Sequence, residues 1–159
     1  MLAFKHPFTA IVAGPTSCGK TVFVFRLIDH VSKMIDPPPR KIVYCYGEYL
    51  QAFARYPRVV FHQGLSDWDD FDGSQPILLI IDDLMQETNE MVVNLFTKGS
   101  RHRNISIMYL AQNLFPKNKF PRTISLNAHY MVLFKNPRDV SQFANLARQI
   151  VESSDVIIC

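Results

Sequence analysis

Eight consecutive residues, Gly14-Pro15-Thr16-Ser17-Cys18-Gly19-Lys20-Thr21, satisfy the pattern G-x-x-x-x-G-K-[ST] at every fixed position. The glycines let the backbone curl so that successive N–H groups face an anion, and a following helix adds the positive end of its dipole. Lys20 is placed to neutralise β- and γ-phosphate oxygens, and the Thr21 hydroxyl is a hard oxygen ligand for Mg2+. Average composition would produce the pattern by chance in roughly one chain of this length in a few hundred, so the flanking segments decide. An apolar run, Phe8 to Ala13, stops at the first glycine, and a helically spaced segment begins at Lys20. That strand–loop–helix context is what a phosphate cradle requires. Residues 14–21 are therefore read as a binding site for a nucleoside triphosphate, with the Cys18 side chain expected beside the phosphates.

A second constellation follows the most apolar run in the chain, Ile77-Leu78-Leu79-Ile80-Ile81-Asp82-Asp83. It places two carboxylates at the carboxyl end of a buried strand, the end where ligands sit in open parallel sheets. Asp82 suits Mg2+, usually through its water shell, because a hard cation takes oxygen ligands. Asp83 either polarises an attacking water as general base or caps the following helix, and one residue can do both. Glu87 is the substitute should Asp83 be too short to reach. Gln112, in Leu110-Ala111-Gln112-Asn113, is an amide at the end of the next strand, able to touch both the γ-phosphate and the water. Arg101 and Arg103, in Gly99-Ser100-Arg101-His102-Arg103-Asn104, precede that strand. Either is a candidate arginine finger for a neighbouring subunit, and either is equally readable as a solvent-facing residue at a helix end. His102 reads as a surface residue.

The elements that must position these groups alternate between strand and helix, which predicts a mostly parallel α/β sheet covered by helices. Strands are expected at Phe8–Ala13, Ile42–Tyr46, Val59–Phe61, Ile77–Ile81, Ile105–Ala111 and His129–Phe134. Helices are expected from Lys20 to about Met34, Glu48–Arg55, Glu87–Lys98, Thr123–Ala128 and Asp139–Val151. Asp67 to Ser74 reads as an acidic surface loop.

The 159 residues leave room for one domain with a sizeable core. With 48% hydrophobic and 19% charged residues the composition is that of a folded globular chain, which excludes disorder as a class. No apolar run is long enough to span a bilayer, and no signal peptide is visible at the start. Cys18, Cys45 and Cys159 suit free thiols in a reducing, intracellular compartment, and no zinc-ligand spacing occurs. The net charge of +3 is unevenly spread: residues 1–60 carry eight Lys/Arg against three Asp/Glu, 61–100 one against eight, and 101–159 eight against three. Basic ends would suit a polyanion such as nucleic acid, although charge alone fits an ordinary solvated surface at least as well.

Together GPTSCGKT, LLIIDD followed by LMQE, the RHRNISIMYLAQNLFP block and ISLNAHYMVLFKNPRD resemble the FtsK–HerA superfamily of ring-forming, DNA-translocating ATPases. The closer likeness is to the genome-packaging ATPases of poxvirus-like large DNA viruses, Polinton (Maverick) elements and adintoviruses, over about residues 8 to 150. The resemblance implies a P-loop NTPase of RecA-like (ASCE) type, with strand order 5-1-4-3-2 and helices on both faces. It implies ATP and Mg2+ as ligands, and ATP hydrolysis coupled to moving double-stranded DNA into a capsid. It also implies a homo-oligomeric ring with capsid proteins as partners. The family's arginine finger lies ahead of the sensor strand, where Arg101 matches the spacing best and Arg103 second. Two departures stand out. Many relatives carry Glu where Asp83 stands, which leaves the base open. Relatives also continue past the helix ending near Ile150 to a last strand, so 151–159 is expected to leave that edge of the sheet incomplete.

Two other readings compete: a small P-loop kinase of a nucleoside-like acceptor, and a truncated, non-catalytic nucleotide-binding remnant. Tandem acids with Gln112 favour water as the nucleophile over a kinase acceptor. A GTPase is weaker still, because no Asn-Lys-x-Asp guanine-reading segment is present.

Overall fold

The chain's longest strands are apolar on both faces because helices cover both sides of them. The computed structural model describes residues 3–65, 71–82, 84, 90–112, 124, 126–135 and 155–158, with Met91 and 155–158 described by backbone alone. Strands β2 (Thr9–Ala13), β4 (Lys41–Tyr46), β5 (Val59–Gln63), β6 (Ile77–Asp82), β7 (Ile105–Ala111), β8 (Tyr130–Leu133) and β9 (Asp155–Ile158) form one sheet in the order β5-β4-β6-β7-β2-β8-β9. Every neighbouring pair in it is parallel. Counted in chain order among themselves, the central strands β8, β2, β7, β6 and β4 stand as 5-1-4-3-2.

Side chains alternate across the sheet with period two. Ile77, Leu79 and Ile81 of β6 enter one core, with Val92, Leu95 and Phe96 from the helical segment before β7. Leu78 and Ile80 enter the other, with Val24, Leu27 and Ile28 of helix α1 (Lys20–Asp29). Helices thus pack on both faces. Among the described residues no helix is long and apolar enough to cross a membrane.

Several elements differ from the sequence expectation. The helix begun at Lys20 breaks at His30, whose ring bonds Arg26 O at 3.0 Å, and resumes as α2 (Val31–Met34). Two-residue strands β1 (Phe4–Lys5) and β3 (Ile35–Asp36) pair in parallel beside the main sheet. Glu48–Arg55 shortens to a 3-10 helix over Gln51–Arg55, leaving Gly47 to Leu50 as a loop.

The helix expected at Glu87–Lys98 runs as α3 (Glu90–Asn94), a π turn over Leu95–Gly99, and α4 (Ser100–His102). Residues 85–89 lie outside the described set. Thr97 Oγ1 donates to Val93 O at 3.0 Å inside that turn, the kind of back-bonding that distorts a helix. Of Thr123–Ala128, Ile124 and Leu126 are helical, and the expected helix at Asp139–Val151 lies outside the described residues. The sheet edge expected to be incomplete carries β9, paired from Tyr130↔Asp155 to Leu133↔Ile158. Three consecutive β-branched residues, Val156-Ile157-Ile158, favour an extended backbone there.

Candidate functional site

β6, β7 and β2 are neighbours in the sheet, so their carboxyl ends bring three loops together at one rim. At the end of β2, Gly14 N–H donates to Ala111 O at 3.1 Å, carrying the β2–β7 pairing one residue into the loop. A side chain at Gly14 would collide with Cys18 Sγ and Phe134 Cβ, at 2.6 and 2.7 Å from an added Cβ. Ser17 (φ 61°) and Gly19 (φ 106°) adopt left-handed backbone, which curls the segment, and Cys18 N–H donates to Pro15 O at 3.3 Å. Helix α1 then begins with no side-chain cap and no acid in its first turn. Its amino-terminal amides and the positive end of its dipole are thus set to receive an anion. Lys20 Nζ lies back along the loop, donating to Gly14 O and, at 3.0 Å, to Pro15 O.

An open cleft of about 660 Å³ lies over this rim. From the loop it is lined by Thr16, Ser17, Lys20 and Thr21. Gly14, Pro15, Cys18 and Gly19 are not part of the lining. The Cys18 thiol lies close to Gly14, within the loop itself. Asp82 and Gln112 line the same cleft. Alternation accounts for this: Leu78 and Ile80, like Met108 and Leu110, belong to the α1-side core, so Asp82 and Gln112 continue the α1 face of β6 and β7. Asp83 and Glu87 lie outside the described residues.

Two residues of this site were missed in the sequence. Glu48, exposed in the loop after β4, lines the cleft as a second carboxylate beside Asp82. The carboxyl-end rule that singled out Asp82 applies equally to the end of β4 and could have found it. Tyr44, buried in β4, donates its hydroxyl to Asp82 Oδ2 at 2.6 Å. Burial, reinforced by the charge of Asp82, pushes the phenol far above its ordinary range, so it acts as a neutral donor. Nothing in the sequence signals this contact, because it depends on how β4 and β6 are paired.

The donor set on the rim suits Mg2+: the Thr21 hydroxyl and the Asp82 carboxylate are hard oxygen ligands sharing one cleft with Lys20. Leu50, Leu84 and Leu110 supply apolar wall.

Arg101 and Arg103 are elsewhere. They precede the amino end of β7, whereas Gln112 follows its carboxyl end, and seven residues of strand span about 20 Å. Arg101 is exposed and Arg103 half-buried. At that end of the sheet Thr9 N–H donates to His129 Nδ1 at 3.0 Å, and His129 N–H returns a bond to Thr9 O at 2.8 Å. Burial first, then the Arg101 charge, lowers the His129 pKa. The structure does not bring either arginine to the cleft of its own subunit, and His102 is exposed.

No protein-family model matches the sequence, and no curated protein matches it significantly. Solved structures do match the fold. The genome packaging NTPase B204 from Sulfolobus turreted icosahedral virus 2 in complex with AMPPCP gives a TM-score of 0.52 at 13% identity, covering 93% of this chain and 88% of that one. The same NTPase in complex with ATP-gammaS gives 0.55 at 12% identity, covering 90% and 83%. The chain has the α/β fold of the P-loop NTPase type, built on a parallel sheet, that this packaging NTPase also has.

Proposed function

We propose that this chain is an ATP-hydrolysing motor domain that translocates or packages double-stranded viral or transposon DNA, working in a homo-oligomeric ring with capsid proteins as partners. The observation that carries the reading is the convergence of Lys20, Thr21, Asp82 and Gln112 on one cleft at the carboxyl rim of the sheet. The fold shared with a genome packaging NTPase supports it. In this reading the loop amides and the α1 amino terminus bind the triphosphate, and Lys20 exchanges its carbonyl partners for β- and γ-phosphate oxygens. Thr21 and Asp82 would hold Mg2+, which supplies charge neutralisation across the β- and γ-phosphates when bound. Gln112 orients the attacking water and contacts the γ-phosphate.

Asp83 is the proposed general base, and Glu48 is the carboxylate that would replace it. Arg101, with Arg103 second, is proposed to act on a neighbouring subunit. Their place about 20 Å from the cleft of their own chain supports action in trans. The test is ATP turnover with and without double-stranded DNA, measured alongside native mass. Stimulation by DNA together with a closed oligomer is expected. Turnover indifferent to DNA but raised by a nucleoside acceptor would replace the motor with a kinase.

A further inference from the structure

Asp82 is approached from inside the protein as well as from the cleft. β4 and β6 pair with Tyr44 opposite Ile80 and Tyr46 opposite Asp82, and alternation puts Tyr44, Ile80 and Asp82 on the α1 face. The Tyr44 ring is fully enclosed. Phe25 stacks on it at 6.0 Å, and Phe53 and Phe61 lie tilted against it at 5.2 and 5.4 Å. A ring gripped on several sides has one position for its hydroxyl, and that position is 2.6 Å from Asp82 Oδ2.

Phe25 also belongs to α1, four residues after Thr21, and residues four apart share a helix face. The helix that carries the Thr21 hydroxyl is therefore the one that clamps Tyr44. The Phe25–Tyr44 stacking and the Tyr44–Asp82 hydrogen bond thus tie the helix that carries Thr21 to the carboxylate of the cleft.

We propose that Tyr44 is a positioning residue for the Mg2+ site: by holding Oδ2 it fixes the orientation of the Asp82 carboxylate toward the metal or its water shell. A carboxylate that loses that bond is held less firmly, and metal binding has to supply the lost order. Partners that orient a metal-binding carboxylate characteristically change metal affinity 10- to 100-fold when removed. The inference rests on the nucleotide-site reading above but names a residue outside the phosphate loop and the acidic pair.

The test is equilibrium binding of AMPPCP as a function of Mg2+, which needs no turnover. Tyr44→Phe keeps the ring and its stacking and removes only the hydroxyl. Its AMPPCP affinity in EDTA should stay within about twofold of wild type, while the Mg2+ concentration giving half of the metal-dependent gain rises about tenfold. A half-point unchanged within about twofold, or a lower one, overturns the proposal. In an Asp82→Asn background, adding Tyr44→Phe should change nothing further; a persisting shift there would make the effect one of packing alone and overturn it as well. If wild type fails to bind AMPPCP, or binds it without regard to Mg2+, the nucleotide reading itself falls. Normal wild-type metal dependence with an unaltered Tyr44→Phe variant sinks only the role of Tyr44.

Discussion

Gly14 hands its backbone N–H to the carbonyl of Ala111 at 3.1 Å, which locks the first residue of the phosphate loop to the residue just before Gln112. The nucleotide loop and the candidate sensor are thus one mechanical unit. The same glycine has no room for a side chain, since an added Cβ would stand 2.7 Å from Phe134 Cβ, an atom fixed close to its own backbone. Gly14→Ala should therefore push β2 and β8 apart at the rim. A loss of about 1–3 kcal/mol of stability is expected from overpacking, accompanied by weaker nucleotide binding. Thermal unfolding and ATP titration of the variant check both. Unchanged values in both would mean that the rim yields without cost.

Lys20 bonds the Gly14 and Pro15 carbonyls and is the ammonium group lining the cleft. Lys20→Ala removes the charge that would meet the phosphates. Charged hydrogen bonds contribute about 1.5–3 kcal/mol each, so losing two weakens ATP binding by more than about a hundredfold. Calorimetric titration measures it directly. Retention of near-normal affinity would move the phosphate contact to the loop amides alone.

How much of this was legible beforehand follows from where each element gets its information. β2, β6 and β7 are enclosed by cores on both faces, so they read as continuous apolar runs, and Ile105–Ala111 has the bounds expected from sequence. The phosphate loop was legible because its backbone demands glycine locally, at the left-handed Gly19 and the crowded Gly14. β1 and β3 were not, because two residues carry no period and their pairing joins Phe4 to Ile35 across the chain. The Tyr44–Asp82 bond was hidden for the same reason: it is a consequence of strand register.

The choice of base lies between two carboxylates, Asp83 and Glu48. Asp83→Asn should leave ATP binding intact and lower turnover by about 10²–10⁴-fold, the usual contribution of a positioned general base. Glu48→Gln, on the neighbouring loop after β4, should cost less than tenfold. Steady-state hydrolysis of both variants, paired with binding measurements, decides. The reverse pattern would make Glu48 the base, and indifference of both would point to Glu87.

Arg101 is exposed at the end of the sheet opposite its own cleft, and its subunit's Lys20 is out of reach across β7. Arg101→Ala should therefore leave ATP binding intact while reducing turnover by 10²-fold or more, since a finger in trans contributes about 10³–10⁵. Mixing Arg101→Ala subunits with Lys20→Ala subunits gives a directional result. A site is restored only where an intact arginine faces an intact loop. Activity that simply tracks the fraction of intact loops, with no dependence on neighbour, would remove the finger from this residue.

His129 connects that same end of the sheet to pH. Its Nδ1 accepts from Thr9 N–H, so the ring proton sits on Nε2, and protonating Nδ1 would break a bond that joins β2 to the start of β8. Burial and the nearby Arg101 charge both lower its pKa from the ordinary value of 6.5. Above that value the ring is neutral in the folded and unfolded chain, and this group adds no pH dependence. As pH falls below 6.5 the unfolded chain takes up the proton first, so stability falls until the folded pKa is passed. Stability should accordingly rise with pH across the window just below 6.5 and level off above it. His129→Asn, whose amide oxygen can still accept from Thr9 N–H without titrating, should flatten that part of the profile. Denaturant unfolding of both proteins between pH 5 and 7 supplies the comparison, and taking the difference between them cancels the other histidines and the carboxylates. Parallel profiles would mean that His129 keeps its ordinary affinity for a proton in the folded chain. A further reduction of the slope in Arg101→Ala would separate the charge contribution from burial.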